Sequence, residues 1–178
     1  MTCLWRYEKG LMVMKTIFLC GFMGCGKTTI GKLLAQKLGC SYTDMDEYIE
    51  RTEGMSIPKI FEEKGEPYFR ERETAACEAL SGAGGVVACG GGAMLKDINA
   101  EKASSNGVVV YIDTPYDTCY DRIKGDTNRP IVMANTKDSL KEIYDKRVPL
   151  YKAHSQISVD GSGTPEEIAK AVKAEVTK

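Results

Sequence analysis

The strongest chemical signal in the chain is eight consecutive residues, Gly21-Phe22-Met23-Gly24-Cys25-Gly26-Lys27-Thr28, which fit the pattern G-x-x-x-x-G-K-[ST]. Glycine at 21, 24 and 26 lets peptide N–H groups converge on a phosphate where a side chain would stand in the way. Lys27 supplies a point charge for the β- and γ-phosphates, and the Thr28 hydroxyl is an oxygen ligand of the kind Mg²⁺ takes. A helix starting there adds its positive end. The implied cofactors are ATP and Mg²⁺.

Such a loop needs a strand before it and a helix after it. Thr16 to Cys20 is short, apolar and partly β-branched, and from Lys27 onward Leu33, Leu34 and Leu38 recur at helical spacing. Further strand-like runs stand at Ser41 to Thr43, Val86 to Ala88, Val108 to Asp113 and Gln156 to Val159, with helical patterns between them. Alternating β and α implies an α/β class with a central parallel five-stranded sheet covered on both faces. Thr114-Pro115 and Thr164-Pro165-Glu166-Glu167 each offer a capping hydroxyl and a first-turn proline. Ser56-Ile57-Pro58 opens a helix that Gly65 stops, and another runs from about Tyr68 to Leu80. The polar stretch from Lys124 to Asn135 has little periodicity and reads as a mobile loop.

The 178 residues suit one domain. Lys and Arg total 24 against 25 Asp and Glu, a net charge of −1, which is no footprint for nucleic acid or an anionic membrane. No apolar run approaches the roughly 20 residues of a membrane span. Seven cysteines without a C-x-x-C pair argue for reduced thiols in a cytoplasmic protein, not a disulfide framework or zinc site. Residues 1–14 lack a signal-peptide pattern and read as a frayed extension, with Met12 or Met14 as a possible start, ahead of a domain over 15–178. Asn135-Thr136-Lys137-Asp138 has the wrong order for a guanine-binding N-K-x-D, which disfavours a GTPase.

Beyond the loop come Asp44-Met45-Asp46, Gly65-Glu66-Pro67-Tyr68-Phe69-Arg70, Gly90-Gly91-Gly92, Arg129-Pro130 and Arg147-Val148-Pro149-Leu150-Tyr151. In order and spacing, over about residues 15 to 165, the set resembles shikimate kinase. The resemblance implies a three-layer α/β/α P-loop fold like that of the nucleoside monophosphate kinases. It also implies an acceptor-binding insertion at about 45–80 and a mobile lid at about 124–137. The expected reaction is ATP-dependent phosphorylation of the 3-hydroxyl of shikimate, by a monomer. Another small-metabolite kinase, such as a gluconate kinase, and a non-catalytic nucleotide-binding module are the alternatives.

The resemblance puts the nucleotide on Gly24, Cys25, Gly26, Lys27, Thr28 and Thr29, the adenine by Arg122 and the loop Asp160 to Thr164, and Mg²⁺ on Thr28 and Asp44. Asp46 would receive the acceptor hydroxyl and its proton. Asp44 and Asp46, alternating at a strand end, are expected to point to opposite sides and do different work. Arg70 and Arg147 would clamp the acceptor carboxylate, because a planar guanidinium binds a carboxylate through two parallel bonds. Gly91 and Gly92 would present backbone to the acceptor, and Arg129 on the lid would reach the transferring phosphoryl group. Phe61 and Phe69 match an apolar pocket wall, although core packing explains them equally well. Arg72 is expected to face elsewhere as the partner of a glutamate, and His154 to sit at the surface or a helix end. Cys25 departs from the familiar serine or alanine; beside Lys27 its thiolate would be favoured, so alkylation there is expected to inactivate.

Overall fold

The computed structural model of the chain describes residues 4–8, 11–126 and 130–178. β1 (Trp5–Glu8) and β2 (Leu11–Met14) pair antiparallel, Trp5 opposite Met14. The Lys15 N–H donates to the Leu4 carbonyl, and Leu4 is buried. Where a frayed extension is expected over 1–14, residues 5–8 and 11–14 form an antiparallel strand pair.

The main sheet is built from β3 (Thr16–Cys20), β4 (Tyr42–Asp44), β5 (Val86–Ala88), β6 (Gly107–Asp113) and β7 (Ile157–Asp160). All four pairings are parallel, in the order β4-β5-β3-β6-β7. Ile17, Phe18 and Leu19 are wholly buried, so β3 is covered on both faces. α1 (Lys27–Leu38) leads from β3 out to β4, and α4 (Asp97–Asn106) leads from β5 back across to β6. Right-handed crossovers in opposite directions put the two helices on opposite faces, which makes three layers. α1 packs on α8 (Pro165–Val176), and α3 (Ile57–Leu80) packs on α4. Because strand order reverses beside β3, its carboxyl end opens into the crevice where ligands of such sheets bind.

The insertion between β4 and β5 is α2 (Met45–Glu53) followed by α3. α3 breaks at Gly65, φ 80° and ψ 168°, where the sequence places the helix stop. Thr164 closes a capping box with Glu167 as expected. Thr114 does not cap: α5 (Tyr116–Ile123) starts from Pro115, and the Thr114 hydroxyl donates to the Cys25 carbonyl at 3.4 Å, tying the end of β6 to the glycine-rich loop. Within the polar stretch, Pro130–Met133 is one helical turn, α6, and Thr136 caps α7 (Lys137–Ala153).

Candidate active site

Gly21, Gly24 and Gly26 all hold positive φ (145°, 80° and 96°), which bends the chain into a cup between β3 and α1. A Cβ on Gly24 would stand 2.6 Å from the Cys119 carbonyl oxygen, so α5 also demands glycine there. Gly26 caps α1 without a side-chain bond, leaving the first-turn N–H groups of Lys27, Thr28 and Thr29 without helical acceptors, as an anion site requires. The Cys25 N–H instead donates to the Phe22 carbonyl inside the loop. Lys27 Nζ lies across the cup, 2.8 Å from the Gly21 and 3.2 Å from the Phe22 carbonyl oxygens. Arg122 Nη1 donates to the Gly24 carbonyl at 3.0 Å and so borders the loop from α5. The loop from Asp160 reaches the same end of the sheet, where a Cβ on Gly161 would collide with Thr114 Oγ1.

Asp44 and Asp46 differ in role for another reason than strand alternation. Asp44 ends β4 and caps α2, its Oδ1 accepting from the Asp46 N–H at 3.0 Å, so Asp46 lies in the first turn of a helix. Asp44 Oδ2 accepts from the Tyr42 hydroxyl at 3.4 Å, and the Thr28 side chain bonds to the same phenol. Thr28 and Asp44 therefore flank the Tyr42 phenol as two hard oxygen donors. Among the described residues no cluster of three or more His, Cys, Asp or Glu could hold a metal. One hydroxyl and one carboxylate suit a cation that keeps its waters and takes other ligands from a phosphate, as Mg²⁺ does. Burial, reinforced by Asp44 and Glu73 and opposed by Lys27, pushes the Asp46 carboxyl up to about 6.

Arg70, on the second part of α3, is held from two sides. Its Nη1 donates to Glu73 Oε2 at 2.8 Å, and its Nε and Nη2 donate to Glu66 Oε1 at 3.1 and 2.8 Å. Glu73 is 1% exposed, and burial lifts its carboxyl above the ordinary range despite the pull of Arg70. A guanidinium has five N–H donors; these three bonds leave one on each terminal nitrogen, the end-on fork that a carboxylate takes. Arg70 also rests over the Phe69 ring, 5.4 Å from its centre. Phe69 is buried and packs on the part-exposed Phe61 at 4.9 Å between centroids, so Phe69 serves the core while Phe61 faces outward.

The glycine triplet joins these parts. None of the three has positive φ; space, not backbone conformation, requires them. A Cβ on Gly90 would meet Asp46 Oδ1 at 2.7 Å, and one on Gly92 would meet Arg70 Nη1 at 2.7 Å. The Gly91 carbonyl accepts from the Tyr151 hydroxyl at 2.5 Å, and the charge of Arg147, one turn earlier on α7, acts on that phenol. Asp46 and Arg70 thus stand against the triplet, and the helix that carries Arg147 is bonded to it. Arg72 turns away, pairing with Glu53 at 3.7 Å and lying over Tyr68. Arg129 lies outside the described residues.

Two expectations on single residues can be placed. Cys25 does lie beside Lys27, its sulfur 3.5 Å from Nζ, but it is 0% exposed, so burial shields it from a thiol reagent; burial also holds the Cys89 thiol well above its ordinary pKa. His154 ends α7 as expected, and its ring bonds to the Met94 carbonyl and the Asp97 carboxylate. Sequence reasoning gave no role to Glu66 or Glu73, although their spacing of four and three residues from Arg70 is the signal of helical ion pairs.

The family model for shikimate kinase matches residues 23–177. A shikimate kinase of Persephonella marina is 44% identical over 161 residues, covering 89% of this chain and 97% of its own. A solved shikimate kinase from Acinetobacter baumannii, in complex with shikimate, superposes with a TM-score of 0.83 at 36% identity, covering 91% of this chain and 92% of that one. A gluconokinase from Sinorhizobium meliloti shares the fold alone, at 18% identity and a TM-score of 0.57 over 91% of both chains. By its residues, its topology and its relatives, this chain belongs to the shikimate kinase family.

Proposed function

We propose that this protein transfers the γ-phosphoryl group of ATP to the 3-hydroxyl of shikimate, giving shikimate 3-phosphate and ADP on the route to chorismate and the aromatic amino acids. The observation that carries the reading is the glycine triplet, with Asp46 packed on Gly90 and Arg70 packed on Gly92. The Gly90 carbonyl accepts from the Ala93 N–H at 3.1 Å, so the triplet is a tight turn that brings the Asp46 carboxyl and the Arg70 guanidinium to one short loop. A small ring acid with an alcohol two carbons from its carboxyl-bearing carbon suits such a turn, carboxylate toward Arg70 and Arg147 and hydroxyl toward Asp46.

The residues then divide the work. The loop amides and Lys27 hold the phosphates; Lys27, resting on its own loop carbonyls, exchanges them for phosphoryl oxygens when nucleotide binds. Arg122 and the loop after β7 flank the adenine. Asp46, with a proton affinity near the working pH, orients the acceptor hydroxyl and takes its proton as oxygen bonds to the γ-phosphorus; the bond to the bridging oxygen breaks and ADP leaves with the electron pair. Thr28 and Asp44 would hold Mg²⁺, which supplies charge neutralisation of the phosphates. Arg129, by resemblance, adds a cation over the transferring group.

The test is coupled ADP release with shikimate, gluconate or AMP as sole acceptor. Shikimate alone should support turnover. Equal turnover with gluconate, or ADP release without any acceptor dependence, would refute the reading.

A further inference from the structure

The last two turns of α7 carry more than the Arg147 clamp. Tyr151, four residues after Arg147, lies on the same helix face, 1% exposed and stacked on Tyr111 at 5.5 Å between ring centroids. Its hydroxyl donates to the Gly91 carbonyl at 2.5 Å, and the Arg147 charge one turn earlier acts on the same phenol. The acceptor loop is thus bonded to the helix turn that follows the acceptor clamp. His154, three residues on, ties the same helix end to the chain that follows the triplet, through the Met94 carbonyl at 2.9 Å and Asp97 Oδ1 at 2.7 Å. Met94 lies in the short 3₁₀ turn Ala93–Leu95, and Asp97 is the first residue of α4. Residues 91 to 97 and the end of α7 are thus fastened at two points, and Arg147 sits just before the first.

We propose that Tyr151 and His154 are positioning residues for the acceptor, a staple that fixes how far the Arg147 fork stands from the glycine triplet. The inference rests on the acceptor pocket assigned above. A carboxylate held between two guanidinium forks is sensitive to their separation, and small displacements of positioning groups are costly in rate. The staple does not touch the nucleotide loop through these bonds, so its loss falls on the acceptor side.

The experiment is steady-state ADP release with shikimate and ATP varied in turn, for the wild type, Tyr151→Phe, His154→Gln, Arg147→Lys and the double variant Tyr151→Phe/Arg147→Lys, with melting curves alongside. Phe keeps the ring and its stack on Tyr111. Tyr151→Phe should raise KM for shikimate about fivefold, the scale of one lost hydrogen bond, leaving KM for ATP unchanged. His154→Gln should raise it about twofold. In the Arg147→Lys background the Tyr151→Phe change should have no further effect, because Tyr151 acts through that guanidinium. An unchanged shikimate KM in Tyr151→Phe, or the same rise with and without Arg147, overturns the staple. If Tyr151→Phe loses its cooperative melt, His154→Gln decides, and an unchanged shikimate KM there overturns it equally. A wild type without shikimate-dependent turnover would instead strike at the functional reading beneath it.

Discussion

The two halves of the site are made differently. The nucleotide half comes from one unbroken stretch, Gly21 to Thr29, whose proposed contacts are backbone amides and in which the positive φ of three glycines shapes the cup. The acceptor half is assembled from side chains on α2, α3 and α7 around a loop after β5, with partners as far apart in sequence as Gly91 and Tyr151. The first is electrostatically simple, a concentration of positive dipole around one lysine. The second buries Asp46 and Glu73 beside the cations assigned to the acid, and burial raises both carboxyls against the pull of Lys27 and Arg70.

Changes in the acceptor half should therefore spare ATP binding. The largest effect is expected for Asp46→Asn, which should lower kcat by roughly 10²- to 10⁴-fold with KM for ATP near normal. The same variant should melt higher than the wild type at pH 7. The folded-state value of Asp46, about 6, lies above its ordinary 3.8, so ionisation in the fold costs stability as pH rises through that window. The gain should be complete above pH 6 and absent below pH 3.8, and melting curves across that range check it. For the wild type, kcat/KM for shikimate should fall as pH drops through about 6.

Glu73→Ala should come next, at about 3 kcal/mol of stability, because it strips Arg70 of its buried partner; urea titration measures it. Gly92→Ala should raise KM for shikimate about tenfold, by forcing a methyl group into Arg70 Nη1. Gly91→Ala meets nothing nearer than the Met23 nitrogen at 4.0 Å and should leave the melting temperature unchanged, which separates crowding from simple loss of glycine. The smallest effect is expected from thiol reagents, which should leave activity intact while the protein stays folded, since Cys25 and Cys89 are covered. Rapid inactivation relieved by ATP would revive the exposed-thiol view of Cys25.

The same contrast explains what could be read in advance. The glycine-rich loop was legible because its chemistry is contiguous, and β3 and β5 fell on Thr16–Cys20 and Val86–Ala88 as the apolar runs suggest. Asp46, Arg70 and Arg147 were legible only through the resemblance, since each alone could be a solvated charge. What escaped was set by tertiary contacts. Asp44 turns the chain directly into α2, which moves Asp46 from strand to helix. Thr114 spends its hydroxyl on the Cys25 carbonyl and not on α5. The burial of Cys25, Glu73 and Tyr151 depends on layers that no local pattern encodes.

The most direct test is a crystal structure of the protein with shikimate and ADP bound. The carboxylate should lie within hydrogen-bonding distance of both the Arg70 and Arg147 guanidinium groups, with the 3-hydroxyl on Asp46 and the ring over the glycine triplet. Shikimate bound with its carboxylate away from both arginines would contradict the account.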